Sequence, residues 1–124
     1  MKVLLTILLL FTLVSCKDEL ENKEVKILGR FAYIKDIPFT GQYIKTSTNG
    51  SISFVFNFKN GVKDGKQIGF YKEGQKRFES FYARGLKDGP YKEWYKNGQL
   101  YKEQVNIKGR EISMKVFQIN LKNY

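Results

Sequence analysis

The sequence predicts an all-β protein built of successive antiparallel hairpins, on three observations. Gly41, Gly65 and Gly89 are 24 residues apart, as are Gly50, Gly74 and Gly98, and Gly61, Gly85 and Gly109. Nine of the eleven glycines therefore fall on three columns of one period, which chance spacing does not produce. Asn49-Gly50, Glu73-Gly74 and Asn97-Gly98 stand between aromatic-rich runs, where a tight turn needs residues tolerant of positive φ. Finally, Ile52, Phe54, Phe56 and Phe58 alternate with Ser53, Asn57 and Lys59, which places one apolar face at period two.

The chain of 124 residues holds at most one ordinary domain, and its first fifteen residues read as something other than fold. Lys2 precedes an apolar run from Val3 to Val14. As a helix such a run rises about 18 Å, short of the roughly 30 Å hydrocarbon core, so it suits a secretory signal better than a spanning helix. A buried amphipathic helix is excluded because Leu4, Leu5, Ile7, Leu8, Leu9 and Leu10 leave no polar face. Leu13-Val14-Ser15-Cys16 resembles the bacterial lipobox, in which the cysteine becomes the lipidated first residue of the mature protein. That resemblance implies a signal peptide over 1–15, an acyl or diacylglycerol lipid on Cys16, and a membrane partner through that lipid. Cys16 is the only cysteine, so no intrachain disulfide competes for it. Lys17-Asp18-Glu19 is similar to the export signal that sends lipoproteins of Bacteroidetes-type bacteria to the cell surface. The expected address is the outer membrane, facing outward, with residues 16–24 as a charged tether.

Residues 25–124 are then expected to form the domain. Repeats are read at 38–61, 62–85 and 86–109, and three copies meet the usual minimum for a stacked array. Within the second and third, the leading strands are expected at about 67–72 and 91–96 and the returning strands at about 75–83 and 99–107. Asp64-Gly65 and Asp88-Gly89 are read as turns between one hairpin and the next. Phe78 and Phe81 are three apart, which breaks the alternation and predicts a bulge. A single hairpin is marginal in water, whereas stacked hairpins pair every inner strand, and the ends then need covers. Val25–Ile37 and Ile112–Leu121 read as those capping strands, the second within a cap over 110–124.

The repeat phrase resembles a known family. Gly89, Tyr91, Trp94, Tyr95, Asn97, Gly98, Leu100 and Glu103 closely match the bacterial variant of the MORN repeat. Gly65, Phe70, Tyr71, Gly74 and Glu79 carry the same phrase one period earlier, with Gln67 in place of the first aromatic. The first copy keeps Tyr43 but has Thr46 and Ser47 where the aromatic pair belongs. The resemblance implies an elongated single-layer sheet of hairpins and a role in protein or membrane contacts. It also brings an antitoxin label carried by some bacterial relatives.

Catalysis finds little material. The chain has no histidine, and its sole cysteine belongs to the expected anchor. Glu79 and Glu103 occupy equivalent positions two strands apart, about 9–10 Å at the usual strand spacing, which just reaches the separation used by inverting glycosidases. The repeat itself accounts better for a glutamate at that place, bonding a turn or a lysine. No enzyme, cofactor or metal is expected. The formal charge of +10 favours acidic partners, and one of those charges is Lys2 in the leader. For an exported protein these are a protein, an anionic glycan or lipopolysaccharide rather than nucleic acid. Phe70-Tyr71 and Trp94-Tyr95, flanked by Lys72 and Lys96, are the candidate contact surface. Neighbours in a strand point to opposite faces, so Phe70 and Trp94 are assigned to the core. Tyr71, Lys72, Tyr95 and Lys96 are assigned to the open side. The resulting expectation is a surface-tethered binding module, with a self-assembling spacer or an antitoxin-type partner as alternatives and the oligomeric state left open.

Overall fold

A computed structural model describes residues 25–119. The expected leader over 1–15, the tether over 16–24 with Cys16, and the last five positions of the C-terminal cap lie outside the described residues. The described chain is all-β and contains no helix. Its strands are β1 (Val25–Leu28), β2 (Phe31–Ile34), β3 (Ile37–Pro38), β4 (Gly41–Thr46), β5 (Ile52–Lys59) and β6 (Val62–Lys63), followed by β7 (Gly65–Phe70), β8 (Lys76–Ala83), β9 (Leu86–Trp94), β10 (Leu100–Ile107) and β11 (Arg110–Val116). All eleven belong to one open antiparallel sheet in the order β1-β2-β6-β5-β7-β8-β9-β10-β11, with β3 on β2 and β4 on β5. The expected caps are the β1–β3 hairpins and β11.

Local chemistry explains the hairpin tips. Gly74 donates its N–H to the Tyr71 carbonyl at 2.9 Å, and Tyr71 donates its own to Gln75 at 2.8 Å. The same pair of bonds closes Ser47–Ser51 and Tyr95–Gln99. Each is a three-residue loop whose last residue, Gly50, Gly74 or Gly98, has positive φ. These loops end β7 and β9 earlier than the sequence predicts, so Tyr71, Lys72, Tyr95 and Lys96 are loop residues rather than strand residues. An ideal Cβ on Gly98 meets nothing within 4 Å at φ +86, so a side chain there is penalised by backbone strain alone. Gly98→Val should therefore cost about 1–3 kcal/mol. A thermal melt coincident with the parent would show that the loop does not need this conformation.

The connecting turns fall elsewhere than expected. Asn60-Gly61, Arg84-Gly85 and Lys108-Gly109 all have positive φ at both residues, the type I′ pattern whose twist matches flanking strands. Gly41, Gly65 and Gly89 also have positive φ, but they open β4, open β7 and lie within β9. The preceding side chains reach the neighbouring turn instead. Asp64 accepts the Arg84 N–H at 3.1 Å, and Thr40 accepts the Asn60 N–H at 2.8 Å. Bulges reappear at one spacing as well, with Ser53, Arg77 and Tyr101 as the extra residues opposite β4, β7 and β9. A further register shift lies between Ser80 and Tyr82, where the Phe78–Phe81 spacing predicts one.

Register sorts the side chains onto two faces. Gln67, Ser80, Tyr91, Gln104 and Met114 form one row across β7 to β11. Phe54, Phe56 and Phe58 share that face. Val55, Ile68, Glu79, Lys92, Glu103 and Lys115 form a row on the other. Among the described residues only Ala32 and Phe58 are fully buried apolar side chains, as expected where one sheet has no second layer stacked on it. The aromatic rings pack along the first face instead, in a continuous chain from Phe39 through Phe58, Phe56, Phe54 and Phe78 to Tyr91.

Candidate functional site

The two faces differ in how they handle charge. On the second face the carboxylates are answered by lysines: Glu79 lies 2.7 Å from Lys76 and 3.9 Å from Lys66, and Glu103 lies 3.3 Å from Lys92. Each glutamate of the equivalent pair thus faces a lysine, and Lys92 stands between them in the row. On the aromatic face the cations lie over rings. Lys63 Nζ is 4.5 Å from the Phe56 centroid and 5.4 Å from that of Tyr82. Lys87 Nζ is 5.1 Å from the Tyr91 centroid, and Arg77 sits over both Phe54 and Phe78. None of these three cations forms an ion pair among the described residues. Positions 24 apart on this face also change chemistry along the chain. Phe54, Phe78 and Lys102 are equivalent, as are Phe56, Ser80 and Gln104, and Phe58, Tyr82 and Asn106.

Between the lysines the sheet forms a depression of about 210 Å³, lined by Phe56, Lys63, Gln67, Phe78, Ser80, Tyr82, Lys87 and Tyr91. Gln67 builds its floor. The ladder between β5 and the β6–β7 segment is interrupted, pairing Phe58 with Lys63 and Val55 with Ile68 but leaving Asn57 out. The Gln67 amide closes that gap, accepting the Asn57 N–H at 3.2 Å and donating to the Asn57 carbonyl at 2.9 Å. Phe78 forms one wall because its ring lies across Gly69, where no Cβ stands in the way.

Burial and then the Lys87 charge hold the Lys63 ammonium below the usual lysine range. Burial raises Tyr82, and burial together with the hydrogen bond to Glu93 raises Tyr91. A tyrosine raised in the folded state stabilises it fully below the ordinary value of 10.0, and that contribution is lost as pH climbs past it. Thermal stability should therefore fall above about pH 10 and fall less in Tyr91→Phe. Equal alkaline slopes in the two proteins would show that Tyr91 ionises in the fold as it does in the unfolded chain.

The residues assigned to binding from sequence lie along the hairpin tips. Tyr71 donates its hydroxyl to the Trp94 carbonyl at 2.7 Å, and Tyr95 donates to the Phe117 carbonyl at 3.1 Å. Lys96 pairs with Glu73 at 3.8 Å and lies over the Tyr71 ring, while Lys72 is exposed in its loop. Both tyrosines are half-buried and tie one hairpin to the next. Trp94 and Phe70, assigned to the core, are also only half-buried, because a single layer cannot enclose a side chain at a strand end. The Lys63–Lys87 depression escaped the sequence reading. Its visible signal was the departure of Gln67 from Tyr43 and Tyr91, and of Ser80 from Phe56, at equivalent positions. No known protein family, curated protein or solved structure matches this chain.

Proposed function

We propose that this chain is a non-enzymatic binding module, made of MORN-like hairpin repeats, that contacts a protein or an anionic envelope component through its aromatic-cationic face. One observation carries the reading: the rings and their unpaired cations lie together on a face over which no other described strand is layered. Broad open faces of this kind mark recognition surfaces. The recurrence of tip loops, bulges and type I′ turns at one spacing supports the repeat reading. The lipobox-like Cys16 supports tethering at the outer membrane surface. A pull-down from whole cells with residues 17–124 tests the module. A specific partner that is lost when Lys63 and Lys87 are both neutralised is the expected result, and retention by that double variant would move binding off this face.

A second reading, edge-to-edge self-assembly, is favoured by β11. Every residue of that terminal strand is exposed, including Ile112, Met114 and Val116. Mass measurements across concentration separate the two readings, since a strict monomer at high concentration argues against assembly. For the anchor, Cys16→Ala should abolish membrane retention. An unprocessed Met1 terminus in mass spectra of the native protein would end that part of the proposal.

A further inference from the structure

The floor of the depression holds a hydroxyl that no described residue bonds. Ser80 is 4% exposed, and its hydroxyl makes no hydrogen bond to any described residue. Among the described residues no fully enclosed side-chain polar atom lacks a partner, so the remaining opening of Ser80 lies at its Oγ, toward the depression it lines. That oxygen is therefore open to a partner from the depression, a ligand or a water. Lys63 and Lys87 line the same depression, the Lys87 charge helps to lower Lys63, and neither lysine forms an ion pair among the described residues. Two like charges sharing a depression with a free hydroxyl are the donor set of an oxyanion.

We infer that Lys63, Ser80 and Lys87 bind the acid group of a single acidic sugar residue, whose oxygen rim meets the two ammonium groups. The inference rests on the binding-module reading and gives its ligand a chemistry. Size argues for one ring, because the depression lies below the roughly 300–1,000 Å³ of drug-sized sites yet exceeds what a bare carboxylate fills. Charge placement argues against a stacked nucleobase. Lys63 covers the faces of Phe56 and Tyr82, and Lys87 and Lys102 cover Tyr91, so a base would first have to displace the ammonium groups. A sugar meets those groups with its oxygen rim and needs no bare ring face.

The test is a titration of the full chain, held in a non-ionic detergent, with glucuronate, glucose 6-phosphate, glucose, acetate and inorganic phosphate, read by calorimetry and amide shifts. One or both acidic sugars should bind at least tenfold more tightly than glucose, acetate or phosphate, and the preferred one tells carboxylate from phosphate. Lys63→Gln and Lys87→Gln should each weaken that binding about 10–100-fold, the usual worth of a charged hydrogen bond. Ser80→Ala should weaken it about 5–10-fold. Lys92→Gln, on the opposite face, should leave it unchanged. Equal binding of acetate or phosphate, or an equal loss in Lys92→Gln, would mean that only bulk charge is read and would overturn the assignment. If no acidic sugar binds while the cell pull-down still depends on Lys63 and Lys87, the ligand chemistry is wrong and the module stands. If neither experiment depends on these lysines, both readings fall.

Discussion

Gln67→Ala should destabilise the fold by about 2–4 kcal/mol, a large part of the roughly 5–10 kcal/mol expected of a domain this size. Gln67 is 1% exposed, and its amide replaces a missing strand partner. Truncation removes the acceptor of the Asn57 N–H and leaves that donor without a bond. An orphaned buried donor costs about 1–3 kcal/mol, and the cavity left by the side chain adds to it. The Asn57 carbonyl loses less, because it also accepts the Asp64 N–H at 3.0 Å. Hydrogen exchange gives the sharper check, since the Asn57 amide should become fast in the variant while the Val55 and Phe58 amides keep most of their protection. Unchanged exchange at Asn57 would mean that another group satisfies it.

Gly69→Val should cost about 2–4 kcal/mol for a different reason. Gly69 has no positive φ, so its backbone would accept a side chain. Space does not, because an ideal Cβ would lie 2.2 Å from Phe78 Cε1 and 2.6 Å from Cδ1. The ring must leave, losing its contacts with Phe54 at 6.2 Å and Tyr91 at 6.4 Å between centroids. Over-packing costs typically about 1–3 kcal/mol and each broken ring pair about 0.5–1.5 kcal/mol. A double-mutant cycle isolates the mechanism. In a Phe78→Ala background the valine should be nearly neutral, so the two changes should couple strongly. Additive costs would show that the ring is not what excludes a side chain at this position.

Much of the strand-and-turn pattern was readable because it is local. A turn residue reveals itself by its own φ requirement: all nine glycines of the three columns have positive φ, six of them in tips or turns and Gly41, Gly65 and Gly89 at or within strands. The Phe54–Phe58 alternation lands on one face as read. The failures were of neighbourhood. Tyr71 and Tyr95 look exposed from their polar flanks, yet each hydroxyl reaches a carbonyl more than twenty residues away. Gly69, off every column, reads as a stray until Phe78 is seen lying across it.

What the chain determined by itself, then, is the class of fold: β-strands by period two, hairpin tips by Asn-Gly and Glu-Gly, and a spacing by its glycines. Tertiary structure decided which side chains meet. Each bulge, at Ser53, Arg77 and Tyr101, shifts the pairing that follows it by one residue. In a sheet such a step changes which residues share a row and a face. The bulge positions depend on the partner strand as much as on the bulged one. The gathering of Lys63, Ser80 and Lys87 into one depression is therefore a property of β6, β8 and β9 together, legible only once their register is known.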